Sequence, residues 1–174
     1  MDETPYSFAA GYSSVAGGAN STAIGYDNTA GGIGSVALGS YASALGDYSF
    51  VYSGASVIGE QATADGTGAI SMGIGTKANY NGAIAIGTLS EAKANYAFAA
   101  RDASRDGTYY SLAAGYSSVA GGANSTAIGY DNTAGGIGSV ALGSYARALG
   151  DYSFVYSGPS SIGEPAAAHC TGPC

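Results

Sequence analysis

Residues 35–48 read SVALGSYASALGDY, and this fourteen-residue frame decides the fold because it recurs along nearly the whole chain. Copies of the frame begin at Ser7, Ser21, Ser35, Ala55, Ala69, Ala83, Ala97, Ser111, Ser125, Ser139 and Pro159. A short, fixed period is typical of a solenoid, in which each repeat buries its apolar face only by stacking on its neighbours. The sequence therefore predicts one elongated domain of stacked rungs.

Each copy of the frame predicts two short strands and two tight turns. Glycine occupies position five in ten of the eleven copies and position twelve in seven. Glycine at such points supplies a positive φ or lets another backbone come close. Between the glycines the residues alternate in character, as in residues 35–38 and 42–45, and alternation with period two is a strand signal. We expect an all-β fold.

Side chains at positions two and four should share one face of the first strand, because side chains alternate along a strand. Their sizes compensate within a frame, since a large residue at one position is paired with a small one at the other. The pairs include Phe8 with Ala10, Thr22 with Ile24, and Ser56 with Ile58. Position three is small in most copies, which indicates a thin interior. A single chain would leave the apolar side chains at positions two and four exposed to solvent, so the pattern predicts an oligomer.

The two ends of the chain are near-duplicates. Residues 7–60 and 111–164 agree at 50 of 54 positions, and both natural duplication and deliberate joining of gene segments explain this. The six residues SFVYSG are interpreted as inserts between frames at 49–54 and 153–158. The expected boundaries are an N-terminal tail at 1–6, a single β-roll domain at 7–172 and a C-terminal tail at 173–174.

Composition restricts the partners. The net charge is −7 and only 10% of residues are charged, which argues against nucleic acid or an anionic membrane surface as a partner. Residues 1–5 have neither the basic nor the apolar region of a secretory signal, and no apolar stretch approaches membrane-spanning length. We expect no membrane contact by this chain itself and, if its parent is displayed on a cell surface, a mature, excised or recombinant piece.

The frame resembles the head repeat of trimeric autotransporter adhesins, the YadA-type head. Residues 20–25 and 124–129 match its Asn-Ser-Val-Ala-Ile-Gly motif with Thr in the Val slot, and residues 34–39, 82–87 and 138–143 match more loosely. The resemblance implies a left-handed parallel β-roll, a parallel homotrimer, and a bacterial cell-surface or extracellular role in attachment to host matrix. It also implies binding of an extracellular-matrix protein such as collagen, or of a glycan.

The motif residues that would inherit this ligand-binding role form two sets. They are Asn20, Ser21, Thr22, Ala23, Ile24 and Gly25, with Asn124, Ser125, Thr126, Ala127, Ile128 and Gly129. The neck, coiled-coil stalk and membrane anchor of the family are not found in the sequence, and similar repeats occur in phage tail fibres. The alternative hypothesis is therefore a structural fibre or scaffold segment, natural or engineered, without a specific ligand.

Tyrosines are the second set of candidate binding residues. Tyr12 and Tyr26 occupy position six of successive frames, as do Tyr116 and Tyr130. Rungs stack about 4.8 Å apart, so equal positions should form ladders. Such ladders either cap the turns as stacked rings or form an exposed stripe that binds protein or sugar. The second role suits tyrosine because it gives contact area at low entropic cost.

The chain contains few of the residues that catalytic and metal sites use. His169 is the only histidine, so a Ser-His-Asp triad or a multi-histidine metal site is not expected. The prediction is a non-catalytic protein without cofactor or metal. Asp27, Asp47, Asp131 and Asp151 fall at turns, where they are either solvated or form a cation or ligand site between chains.

The two cysteines predict a link between chains. In a parallel three-fold bundle, Cys170 of one chain could meet Cys174 of the next, and three such bonds would close a covalent ring in an oxidising setting. Two alternatives stay open, namely zinc held by His169, Cys170 and Cys174, and free or engineered thiols.

Overall fold

A computed structural model of the chain describes residues 6–54, 60–100, 108–158, and the backbone alone of 105–106 and 167–168. Within this part the chain forms 22 strands and no helix, and we number the strands in chain order. Odd-numbered strands form one eleven-stranded sheet, the first sheet, and even-numbered strands form another, the second sheet. One strand of each sheet makes up a rung, so the expected all-β solenoid is confirmed.

The strands of the first sheet are mostly five residues long. They are β1 Phe8–Tyr12, β3 Thr22–Tyr26, β5 Val36–Ser40, β7 Phe50–Gly54, β9 Ile70–Ile74, β11 Ile84–Thr88, β13 Phe98–Ala100, β15 Leu112–Ala114, β17 Thr126–Tyr130, β19 Val140–Ser144 and β21 Phe154–Ser157.

The strands of the second sheet are shorter. They are β2 Val15–Ala16, β4 Thr29–Ala30, β6 Ala42–Ala44, β8 Ala62–Ala64, β10 Lys77–Ala78, β12 Glu91–Ala92, β14 Arg105–Asp106, β16 Val119–Ala120, β18 Thr133–Ala134, β20 Arg147–Ala148 and β22 Ala167–Ala168.

Every strand pairs in parallel with the equivalent strand of the next rung. Phe8 lies opposite Thr22 and Thr22 opposite Val36, which is a step of one fourteen-residue frame. Since the pairing keeps frame positions aligned, each position forms a column along the solenoid. A residue type repeated in the sequence therefore becomes a continuous stripe on the molecule.

The interior between the two sheets is lined by small side chains. Ala23 and Ala37 at position three and Ala30 and Ala44 at position ten are fully buried. Val51 is the largest fully buried side chain of the described residues. The expected thin interior is thus observed, and the sheets lie close because alanine faces alanine. The described rungs therefore have no thick apolar core between their sheets.

The register corrects the predicted position of the insert. Phe50 lies opposite Val36 and Ile70, and Ala62 lies opposite Ala42. Residues 49–54 are therefore a regular first strand, and the six extra residues fall between Gly54 and Ala62, of which 55–59 lie outside the described part. The reason is that SFVYSG alternates like every other first strand, with Val51 and Ser53 facing inward.

The second copy of SFVYSG behaves in the same way. Phe154 lies opposite Val140, and Ala167 lies opposite Arg147. The frame copies placed at Ala55 and Pro159 therefore start at Ser49 and Ser153. The inward or outward positions predicted for Ser56 and Ile58 fall outside the described residues.

Glycine is required at two columns because neighbouring backbones are too close for a side chain. Gly25 has φ 131°, and a Cβ added there would lie 1.9 Å from the carbonyl oxygen of Gly39 in the next rung. A Cβ added at Gly32 would lie 2.1 Å from the carbonyl oxygen of Gly46. These contacts explain the glycines of positions five and twelve.

Buried asparagines fasten the first turn of two rungs. The Asn28 amide nitrogen donates to the carbonyl oxygens of Ile24 and Gly39, both at 2.8 Å, and its oxygen accepts from the Ala42 backbone N–H at 2.8 Å. Asn132 makes the equivalent three bonds in the second half. Each asparagine therefore ties its own turn to the next rung.

Candidate functional site

An apolar stripe covers the outward side of the first sheet, and we call it the apolar face. It consists of the side chains at positions two and four, whose neighbours at positions three and five point inward or are glycine. Ile24 and Ile128 at position four are 41% and 40% exposed. The stripe extends from β1 to β21. The single chain therefore leaves this face exposed to solvent, as expected from the sequence.

Two rungs break the expected compensation of side-chain sizes along this face. In β7 both outward residues are large, Phe50 and Tyr52, and the same holds for Phe154 and Tyr156 in β21. The other rungs pair a large residue with a small one or two of middle size. The apolar face therefore carries an aromatic belt at the fourth rung and another at the eleventh.

Tyrosine side chains line the border of the apolar face at the first turn. Tyr12 and Tyr26 stack with ring centroids 5.0 Å apart and planes 11° apart, and Tyr41 meets Tyr26 edge-on at 5.4 Å. We call these three residues, with their equivalents Tyr116, Tyr130 and Tyr145, the tyrosine clusters. The predicted ladders at position six are confirmed, and the third ring of each cluster was missed because it occupies position seven.

Hydroxyl groups within each tyrosine cluster interact. Partial desolvation, followed by the hydrogen bond with Tyr26, raises the pKa of Tyr41 above the ordinary tyrosine value. In the second cluster the hydrogen bond with Tyr145 raises the pKa of Tyr130. Each cluster therefore combines exposed ring surface with hydroxyl groups that can form hydrogen bonds.

A groove lies beside the second tyrosine cluster on the apolar face. Its floor is low because Ala100 and Ala114 occupy position four in two successive rungs, and Ile128, Tyr116 and Tyr130 form its wall. The groove has a volume of about 640 Å³. It belongs to the apolar face and is mostly apolar, so it suits a hydrophobic side chain better than a charged ligand.

The motif residues predicted to bind a ligand divide between the interior and the surface. Ser21, Ala23, Ser125 and Ala127 are fully buried between the sheets and cannot touch a ligand. The exposed members are Asn20, Ile24, Asn124 and Ile128, while Thr22, Gly25, Thr126 and Gly129 are half-buried. The isoleucines lie on the apolar face, and the asparagines lie at the second turn. The motif is thus mainly a structural unit.

Tyr12, Tyr26, Tyr116 and Tyr130 are all exposed, as a binding role requires. A second group of exposed tyrosines lies along the opposite edge of the solenoid, at position fourteen of the second turn. There Tyr96 and Tyr110 stack with centroids 5.5 Å apart and planes 3° apart. This pair agrees with the expectation that equal frame positions form ladders.

Two of the turn aspartates form hydrogen bonds with the backbone of the preceding rung. Asp47 accepts a hydrogen bond from the Ile33 backbone N–H at 2.8 Å, and Asp151 accepts one from Ile137 at 2.9 Å. These two carboxylates therefore hold the second turn of the preceding rung. No group of three His, Cys, Asp or Glu side chains able to hold a metal comes together in the described part of the chain. His169, Cys170 and Cys174 lie outside it.

Comparison with known protein families identifies the repeat. The model of the YadA head domain repeat (two copies) matches residues 5–28, 30–50, 53–76, 81–100, 109–132 and 134–154. No curated protein matches the chain.

The fold and its repeat define a parallel β-solenoid of the head type. The chain belongs to the YadA head family, the head domains of trimeric autotransporter adhesins. Among the described residues, no helix is long and apolar enough to cross a membrane.

Proposed function

We propose that the chain is the head of a bacterial surface adhesin, which assembles as a parallel homotrimer and attaches to an extracellular-matrix protein such as collagen, or to a glycan. Its role is binding rather than catalysis. The observation that carries this proposal is the apolar face, a continuous exposed stripe along one side of the solenoid with a tyrosine cluster on its border in each half.

The packing of the single chain supports assembly with other copies. The interior contains little besides alanine, serine and glycine, whereas the larger apolar side chains point outward on the first sheet. Burial of apolar surface contributes roughly 25 cal/mol per Å², so the chain gains most of its apolar stabilisation only when this face meets other copies. Family membership supports three copies around a common axis.

The surfaces that remain outside such an assembly are the two turn edges and the second sheet. The tyrosine clusters lie at the first-turn edge and present hydroxyl groups together with ring surface. Tyrosine of this kind is a common contact residue because one end is apolar and the other forms hydrogen bonds. Asn20 and Asn124 at the second turn add exposed amides. We therefore assign ligand contact to the edges, and assembly to the apolar face.

Solid-phase binding of the isolated protein to collagen, fibronectin, laminin and a glycan array tests the adhesive role. We expect saturable binding to one of these, and a loss of binding when Tyr12 and Tyr116 are both changed to Ser. The matched control changes Tyr48 and Tyr152, which are at least as exposed but lie at the other edge. Equal losses in the two double variants would contradict the assignment to the tyrosine clusters.

The structural alternative makes the opposite prediction for the same assay. A fibre or scaffold segment shows no saturable binding to any of the four surfaces and forms end-to-end filaments in negative stain. The stacked, uniform rungs of this chain are compatible with such a role, and the tyrosine clusters favour the adhesive one. The gene neighbourhood of the parent, with a stalk and anchor or with phage tail genes, distinguishes the two independently.

A further inference from the structure

Three pairs of tyrosine rings lie parallel on successive rungs. The pairs are Tyr12 with Tyr26, Tyr116 with Tyr130, and Tyr96 with Tyr110. Their planes differ by 3° to 12° and their centroids are 5.0 to 5.5 Å apart. Because parallel rings are related by a simple shift, equivalent ring carbons are separated by about the same distance. The Tyr12–Tyr26 pair is also held by strand pairing of the two residues themselves.

The paired rings are open to a small reagent. Tyr96 and Tyr110 are 59% and 64% exposed, and the members of the other two pairs are 45% to 69% exposed. Tyr41 packs edge-on against Tyr26 and Tyr145 against Tyr130, yet both paired rings stay partly exposed, and the two members of each pair lie on adjacent rungs. Closing the gap between two ring carbons therefore requires movement of side chains and not of the strands.

We propose that these stacked pairs are sites of oxidative tyrosine cross-linking, each joining two successive rungs of one chain through a carbon–carbon bond. The co-reactant is a one-electron oxidant of the peroxide-fed haem peroxidase class. Each phenol loses one electron and one proton to give a phenoxyl radical, and the two radicals couple at ring carbons ortho to oxygen. The hydrogens on those carbons then move to the oxygens, which restores both phenols. In total two tyrosines and one hydrogen peroxide give one dityrosine and two waters.

The structure favours coupling within a chain over coupling between molecules. A phenoxyl radical formed on one ring of a pair finds its partner ring already at 5.0 to 5.5 Å, so the effective concentration of the partner is far above that of a second molecule. The bond closes a loop between residues one frame apart. It would fix the register of two rungs covalently and resist their separation.

Two further tyrosines provide an internal control for this geometry. Tyr48 and Tyr152 occupy the same position fourteen as Tyr96 and Tyr110 and are 69% and 82% exposed. Each lies over a glycine of the preceding rung, as Tyr96 lies over Gly82, but in the described part of the chain neither stacks on another ring. If exposure alone decided reactivity, these two residues would react as readily as the pairs.

Peptide mapping of the oxidised, folded chain tests the proposal. Trypsin cleaves after Arg101 and Arg105, which separates Tyr96 and Tyr110 into peptides 94–101 and 106–147. After brief treatment with a haem peroxidase and hydrogen peroxide, we expect these peptides to be joined, with a mass two hydrogens below their sum, or four where Tyr116 and Tyr130 within the second peptide have also coupled. The linked peptide should come from the monomer band of a denaturing gel. Tyr110→Phe should abolish it, and the matched variant Tyr152→Phe should leave its yield unchanged.

Three results would overturn the proposal. The first is equal yield of the linked peptide when the chain is oxidised in denaturant, since folding would then have no role. The second is cross-linking of Tyr48 or Tyr152 as readily as the paired tyrosines. The third is dityrosine confined to gel bands above the monomer, which would show that coupling takes place between chains. None of these readouts depends on ligand binding.

Discussion

Residue by residue, the strongest constraints come from positions where one side chain serves two rungs. Asn28 is the clearest case, because its three hydrogen bonds satisfy two carbonyl oxygens and one N–H that belong to different rungs. The glycine columns have the opposite requirement, since a carbonyl oxygen of the next rung occupies the place of a side chain. Both constraints repeat at Asn132 and Gly136 in the second half.

Asn28→Ala should destabilise the protein strongly. The substitution leaves the Gly39 and Ile24 carbonyl oxygens and the Ala42 N–H without their partner in a buried turn, at a cost of about 3 kcal/mol in the free energy of unfolding. The control Asn79→Ala removes an exposed asparagine whose one hydrogen bond is with the Thr63 hydroxyl. It should change stability by less than about 0.5 kcal/mol. Urea denaturation measures both, and equal effects would contradict the role given to Asn28.

Gly32→Ala should be far more damaging than Gly17→Ala, although both glycines lie at the second turn without a positive φ. The added Cβ at Gly32 meets the Gly46 carbonyl oxygen at 2.1 Å, whereas nothing lies within 4 Å at Gly17. We expect a loss of about 3 kcal/mol at Gly32, from overpacking against backbone. At Gly17 we expect no loss or a gain below about 1 kcal/mol. A tolerated Gly32→Ala, measured by thermal unfolding, would show that the rungs are not this close.

Among the elements, the fourth rung best shows how strands tolerate an irregular connection. Ser49 to Gly68 spans twenty residues instead of fourteen, and both of its strands still pair in register on either side. The extra residues all fall in the connection from β7 to β8. A loop of this size adds little closure entropy, so the solenoid continues through the insertion.

Removing residues 55–60 should therefore leave the fold intact. The deletion brings Gln61 to position seven, where other rungs have a left-handed backbone, as at Tyr41 with φ 55°. The variant should include Gln61→Gly, because a left-handed backbone at a non-glycine residue lowers the free energy of unfolding by roughly 1–2 kcal/mol. Circular dichroism should show the same strand content and thermal unfolding a similar midpoint. Loss of strand signal would contradict the register of β7, and the deletion with Gln61 retained is the control.

The sequence determines most of this arrangement because each frame position becomes a column. Two strands per rung, buried alanines at positions three and ten, and tyrosine ladders all follow from the fourteen-residue period. The location of the insert does not follow from the period. The bulky residues of SFVYSG differ from those of other copies and favour an insert, whereas their alternation fits a first strand. The Tyr41 and Tyr145 contacts were missed for a related reason, since position seven varies between copies and only the turn geometry brings it against position six.

For the whole molecule, the arrangement of apolar residues is inverted relative to an ordinary domain. Small residues fill the inside, and Val, Ile, Leu and Phe side chains lie on the outward side of the first sheet. Eleven rungs at about 4.8 Å make a rod roughly 50 Å long. In the assembly that we propose, this apolar face is covered, and family membership supports cover by two further copies.

The proposed disulfide clasp belongs to this assembly. If Cys170 of each chain bonds Cys174 of the next, three disulfides link the trimer covalently, provided that the Cα atoms come within about 7 Å. Non-reducing gel electrophoresis should then give a trimer band that collapses to monomer with reductant. Monomer in both lanes would rule out the clasp and leave zinc binding or free thiols. A metal assay on the purified protein separates those two alternatives.

The molar mass in solution tests the central claim most directly. Sedimentation equilibrium of the reduced protein should give three times the chain mass of 16.9 kDa, because the apolar face is covered only in the assembly. Ile128→Asp places a charge on that face and should abolish the trimer, whereas Asp27→Asn at the exposed first turn should leave it unchanged. A folded, soluble monomer of the unaltered chain at all concentrations would contradict the account, since the exposed apolar face would then need no partner.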